Sequence, residues 1–138
     1  MEQEILFRAK AINRDAKSLR TNYKNGDWVH GLVTRLYDER FENLPAEMTN
    51  TSGVSCIEVD YETVGRFTGL TDRNGVKIFE GDILEAESGN RGYVMFINGA
   101  FMKSCNSKDM PFLIASDVNA VIGNVFDNPE LLKGEPNV

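Results

Sequence analysis

The chain has 138 residues, 41% hydrophobic and 26% charged, a balance that supports one folded core and excludes a disordered chain. Its 21 acids against 15 bases leave a net charge of −6, which weighs against non-specific capture of nucleic acid, because phosphate attraction is the sequence-independent part of that affinity. No apolar run approaches the roughly 18–20 residues that span a bilayer, and the acidic opening Met1-Glu2-Gln3-Glu4 is unlike a secretory leader. The expectation is a cytoplasmic protein with no membrane partner.

In chain order, residues 5–12 alternate: Ile5, Phe7, Ala9 and Ala11 against Leu6, Arg8, Lys10 and Ile12. That period of two predicts a half-buried strand. A polar stretch follows, and Asn25-Gly26-Asp27 signals a tight turn feeding a strand over 28–36. Residues 37–53 read as a long irregular stretch that could hide a short helix near 42–48; loops of that length are functional or mobile. Strands are expected over 54–61 and on both sides of the turn at 71–75. Glu80-Gly81-Asp82 forms a second turn into a strand over 83–87, and Asn98-Gly99 joins a hairpin of 93–96 and 100–103. The last strands are expected at 112–115 and 121–126. Asn128-Pro129 then reads as a cap and first-turn proline of a short C-terminal helix. Short strands with turn signals about every ten residues favour a small barrel or sandwich.

At this point the residues carry a likeness. The run 62–84, from Glu62-Thr63-Val64-Gly65-Arg66-Phe67-Thr68-Gly69-Leu70 through Thr71-Asp72-Arg73-Asn74-Gly75 to Glu80-Gly81-Asp82-Ile83-Leu84, resembles the signature of the YopX family. The segment 121–132 resembles the family's C-terminal end, and Phe7-Arg8-Ala9-Lys10 with Gly26-Asp27-Trp28-Val29-His30-Gly31 resembles its N-terminal part. The resemblance implies a small protein of bacteriophages and prophages, β-rich, with an SH3-like barrel in its C-terminal part and no established biochemical activity. Residues 13–24 are longer than the family's usual first turn, and 37–53 match nothing in it. The expected fold is therefore mainly β, with an N-terminal β annex and long loop over 1–61 and an SH3-like barrel with a C-terminal helical turn over 62–138.

Two constellations compete for function. Residues 1–45 carry a net charge of +1 and 46–138 a net charge of −7. The only basic tract is Arg8, Lys10, Arg14, Lys17, Arg20 and Lys24, with Tyr23 and Trp28 at its end. Its bland reading is a solvated strand and loop face; its sharper reading is a patch for an acidic partner or nucleic acid. The second constellation is the punctuation Gly69, Asp72, Asn74, Gly75, Glu80, Gly81 and Asp82. Glycines suit chain reversals and short acids accept backbone N–H groups, so the expectation is a structural turn motif. Asp72, Glu80 and Asp82 would have to converge to hold a divalent cation, and the further acids of an EF-hand loop are missing.

No phosphate loop, dinucleotide fingerprint or nucleophile elbow is present. The single histidine, His30, reads as a strand residue. Cys56 and Cys105 form no zinc spacing and read as small apolar fillers. Seven aromatics, Phe67, Phe79, Tyr93, Phe96, Phe101, Phe112 and Phe126, read by default as core. The expectation is no cofactor, no metal and no catalysis. The leading function is an interaction module that pairs with itself or with a protein partner; the alternative is nucleic-acid binding through the 8–24 tract.

Overall fold

A computed structural model describes residues 4–13, 23–36, 46–105 and 111–133. The chain divides into two units, Met1–Arg66 and Phe67–Val138.

In the first unit, β1 (Phe7–Lys10), β2 (Trp28–Arg35), β3 (Ala46–Asn50) and β4 (Ile57–Val59) form an antiparallel meander. The start of β5 (Gly65–Thr71) lies on the other side of β1 through Phe7↔Arg66 and Arg8↔Gly65. The period of two expected in β1 is present: Ala9 and Ala11 are buried with Val29, Ala46, Met48, Ile57 and Val59, and Phe7, Tyr23, Val33, Val54 and Val64 pack around them. Burying each larger aliphatic here contributes about 1.5–3 kcal/mol. The sheet bends enough for the end of β1 to meet β4: Ala11 bridges Val59, Ile12 N–H donates to Glu58 O (2.9 Å) and Asp60 N–H donates to Lys10 O (2.8 Å). Gly31 sets the approach of β2 to β3, since a Cβ there would lie 2.0 Å from Thr49 O. Any side chain would force the strands apart.

Two expectations are corrected in this unit. Residues 46–50, placed in the irregular stretch with a possible helix at 42–48, are strand β3. Ala46 and Met48 alternate inward against Glu47 and Thr49, a period of two too short to stand out beside Pro45. Residues 37–45 lie outside the described residues. Cys56, read as an apolar filler, is exposed, with φ 60°.

In the second unit, the later part of β5 pairs with β6 (Lys77–Phe79), and a register shift lies between Phe67↔Phe79 and Thr71↔Lys77. Thr68 sits in the shift, its Oγ1 donating to Ile78 O (2.8 Å) and accepting from Leu70 N–H (3.1 Å). A separate antiparallel sheet runs β10-β9-β8-β7-β11, with β7 Asp82–Ala86, β8 Arg91–Ile97, β9 Ala100–Ser104, β10 Phe112–Leu113 and β11 Asn119–Asn124. It is not closed; β10 and β11 are its edges. Ile78, Leu84 and Val94 form the core, with Phe101, Ile114 and Val121 packed against them.

The expected C-terminal helix is a single 3-10 turn, Pro129–Leu132, and Asn128 does not cap it. Asn128 Oδ1 instead accepts from Asn124 N–H (3.2 Å), and so short a segment cannot repay helix nucleation. Not all the aromatics are core: Phe79 is buried, whereas Phe96 and Phe126 are exposed. Phe96 still meets Phe101, ring centroids 4.9 Å apart, which is an ordinary tilted aromatic pair.

Candidate functional site

The acid-and-glycine motif occupies two turns of the second unit. Asp72 is buried. Its Oδ1 accepts from Asn74 N–H (2.8 Å) and Val76 N–H (2.9 Å), closing the turn. Its Oδ2 accepts from Val121 N–H on β11 (2.8 Å), and Arg73 N–H donates to Asn119 O (3.0 Å). The carboxylate and its neighbour thus occupy the outer edge of β11 where another strand would lie. Burial is the strongest single influence on Asp72 and raises its pKa. The N–H donors of Val121, Val76 and Asn74, with the Arg73 charge, together outweigh it and hold the carboxyl below its ordinary value.

In the next turn, Asp82 Oδ2 accepts from Phe79 N–H (2.8 Å) at a buried position. Glu80 is half-buried between them in sequence. Gly81 has φ +87°, and its would-be Cβ lies 3.2 Å from the Phe126 ring; a side chain there would meet both strained backbone and a neighbour. Gly69 and Gly75 have φ +86° and +81°, and Asn74 is exposed. Among the described residues, no group of three or more His, Cys, Asp or Glu gathers into a metal-binding cluster.

The basic tract divides. Arg8 and Lys10 sit opposite His30 and Trp28 on one face of the first sheet. The Arg8 guanidinium lies 4.6 Å and the Lys10 ammonium 5.6 Å from the Trp28 ring centroid. These are cation–π distances, so the indole is engaged by its own chain. Arg8 is 8% exposed, which leaves little of it for a phosphate; His30 is exposed. Tyr23 is on the other side: it packs on the core, and its hydroxyl accepts from Asn50 Nδ2 (3.2 Å). Lys24 is exposed. Arg14, Lys17 and Arg20 lie outside the described residues.

Two features escape a linear reading. Lys103 is 1% exposed, and its Nζ donates to Asn119 Oδ1 (2.8 Å) and Asn90 O (3.1 Å). Asn119 Nδ2 in turn donates to Ala115 O (2.7 Å), and Gly92 leaves the room, since a Cβ there would lie 3.0 Å from Lys103 Cγ. The sequence hint was the inward phase of Lys103 in AFMKS, shared with Phe101. Cys105, the other expected filler, is half-exposed, its Sγ 2.9 Å from Asn90 Oδ1.

The second feature is an apolar row on the opposite face. Met95 pairs with Met102 and Met102 with Leu113, across β8, β9 and β10. Ile97↔Ala100 flanks the row. Tyr93, Met95, Ile97 and Met102 are half-exposed, and Leu113 is 71% exposed. The row ends at edge strand β10, which has no strand on its outer side among the described residues.

The sequence matches the family described as YopX protein over residues 10–133. Among solved structures, protein EF1440 from Enterococcus faecalis aligns with a TM-score of 0.60 at 23% identity, over 96% of this chain and 100% of that one. At that identity the likeness is one of fold alone. No curated protein matches the sequence.

Proposed function

The chain belongs to the YopX protein family, and on that premise we propose that it is a non-enzymatic interaction module that associates with itself or with a protein partner. The observation that carries the reading is the Met95–Met102–Leu113 row running to an open edge. Apolar side chains there lose water on docking, methionines adapt to a partner's shape, and an edge strand offers unpaired backbone groups. Asp72 and Arg73 occupy the β11 edge of the same sheet, which leaves β10, among the described residues, as the edge available for pairing. A second copy would meet this patch through a two-fold axis, with the same residues on both sides.

The module is assigned to 62–138, with 1–61 as its annex. Its SH3-like character is proposed in the sense of a hairpin and an antiparallel sheet that share the core of Ile78, Leu84 and Val94. A bacterial cytoplasm, in a cell carrying the phage or prophage, belongs to the same proposal; no helix of the described residues is long and apolar enough to cross a membrane.

Light scattering across a concentration series tests self-association, with Leu113→Asp as the control. Leu113 is exposed enough for that change to leave folding intact. A mass that rises with concentration, and that falls back in the variant, supports the reading. For a protein partner, a captured protein must be retained by the wild type and lost by Leu113→Asp. A constant monomer mass together with identical captures by both chains rejects it.

Nucleic-acid binding is the second reading, favoured by one observation: Arg8, Lys10, His30 and Trp28 share a sheet face. Trp28 already holds two cations, which weakens it as a platform for base stacking.

A further inference from the structure

The sequence contains three Asn-Gly steps, at Asn25-Gly26, Asn74-Gly75 and Asn98-Gly99. We infer that the fold makes one of them, Asn98-Gly99, a site of spontaneous chemical modification while holding the other two back. In the reaction, the backbone nitrogen of the glycine loses its proton and attacks the asparagine Cγ. A C–N bond forms, the Cγ–Nδ2 bond breaks and ammonia leaves, giving a five-membered succinimide. Water then adds to either ring carbonyl, opening it to aspartate or to the β-linked isoaspartate. No oxidant or reductant is needed, and the co-reactant is solvent water.

The attacking nitrogen is restrained at two of the three steps. Gly26 N–H donates to Ala11 O (2.8 Å), and Asn25 Oδ1 is itself held by Asn13 N–H (2.9 Å). Gly75 N–H donates to Asp72 O (3.0 Å), inside the turn that Asp72 Oδ1 closes on Asn74 and Val76. Attack at either step must first break a backbone hydrogen bond and open the turn it closes. At Asn98-Gly99 both residues are exposed at the tip of the β8–β9 hairpin, and no hydrogen bond among the described residues engages Gly99 N–H. Asn98 has φ 51° and Gly99 φ +81°. Those are the angles an Asn-Gly hairpin turn adopts, and with Gly99 N–H unengaged the attacking nitrogen is reached without first breaking a hydrogen bond to it.

The product would change the hairpin. Aspartate adds a negative charge beside Ile97 and Ala100, and isoaspartate also adds a backbone methylene, which disturbs the register Ile97↔Ala100 and Phe96↔Phe101. The modified tip lies next to the apolar row, but the inference does not depend on what that row binds.

The test is to age the full folded chain at mildly alkaline pH and map the three peptides over time. Electron-transfer fragmentation separates aspartate from isoaspartate. A parallel sample is aged in denaturing urea. Conversion at Asn98 is expected to run roughly five- to tenfold faster than at Asn25 or Asn74 in the folded chain, the factor that opening one backbone hydrogen bond of ordinary strength imposes. In urea the three rates should converge. Equal or faster conversion at Asn25 or Asn74 in the folded chain overturns the inference. So does a preference for Asn98 that persists unchanged in urea, which would trace it to local sequence and not to the fold.

Discussion

Asp72 is the most informative single residue to perturb. One carboxylate satisfies three backbone N–H groups, two within its own turn and one on β11. A hydrogen bond to a charged group contributes about 1.5–3 kcal/mol, and three sharing one side chain fall short of additivity. Asp72→Ala is therefore expected to cost about 3–4 kcal/mol. Asp72→Asn is the sharper variant. Its amide oxygen can keep the two bonds inside the turn, but its NH₂ then faces Val121 N–H, donor against donor, at a cost of about 2 kcal/mol. The pH dependence follows from the lowered pKa. A carboxylate stronger in the native state stabilises fully above the ordinary value of 3.8 and loses that contribution as pH falls through the depressed native value. Asp72→Asn should flatten that part of the acid limb. Urea unfolding by far-UV circular dichroism gives the energies, and amide exchange at Val121 reads the edge contact directly. If Asp72→Ala unfolds within about 0.5 kcal/mol of the wild type, the size of a neutral surface change, and leaves Val121 protected, the clamp is not what orders this edge.

Other variants probe the remaining claims. Gly31→Ala places a Cβ 2.0 Å from Thr49 O and should cost about 3 kcal/mol of unfolding free energy, as overpacking of a tight site does, lowering the urea midpoint; an unchanged midpoint would mean that β2 and β3 are not so close. Lys103→Met leaves Asn119 Oδ1 and Asn90 O without their donor and should cost about 2 kcal/mol, visible as a lower thermal midpoint. A variant as stable as the wild type would show that this buried amine is dispensable. Titration with a single-stranded oligonucleotide at low salt should leave Trp28 fluorescence nearly unchanged. Quenching that weakens steeply with added salt would instead favour the nucleic-acid reading.

What the sequence disclosed depended on how local each signal was. The alternation of Phe7, Ala9 and Ala11, the Asn98-Gly99 hairpin and the turns at 72–75 and 80–82 are each encoded within about eight residues, and the fold contains a strand or turn at each. Strand β3 was hidden because Ala46 and Met48 show their phase only once Val59 and Ile57 lie opposite them. The partner of Asp72 Oδ2 lies 49 residues away at Val121, beyond any local pattern. Trp28 and Tyr23 are five residues apart in sequence yet belong to opposite sides of one sheet. The burial of Lys103 follows from Gly92 and Asn119, which only strand pairing brings near it. The apolar row is likewise written on three strands, with Met95, Met102 and Leu113 each unremarkable in its own segment.

Self-association is read directly from the solution mass of the intact chain, by light scattering as concentration rises. The mass is expected to climb from 15.5 kDa towards that of a pair, and to return to the single-chain value in Leu113→Asp. A chain that instead stays single is expected to hold a protein ligand that Leu113→Asp no longer holds. A single-chain mass throughout, with no protein ligand distinguishing the two chains, contradicts the reading of an interaction module.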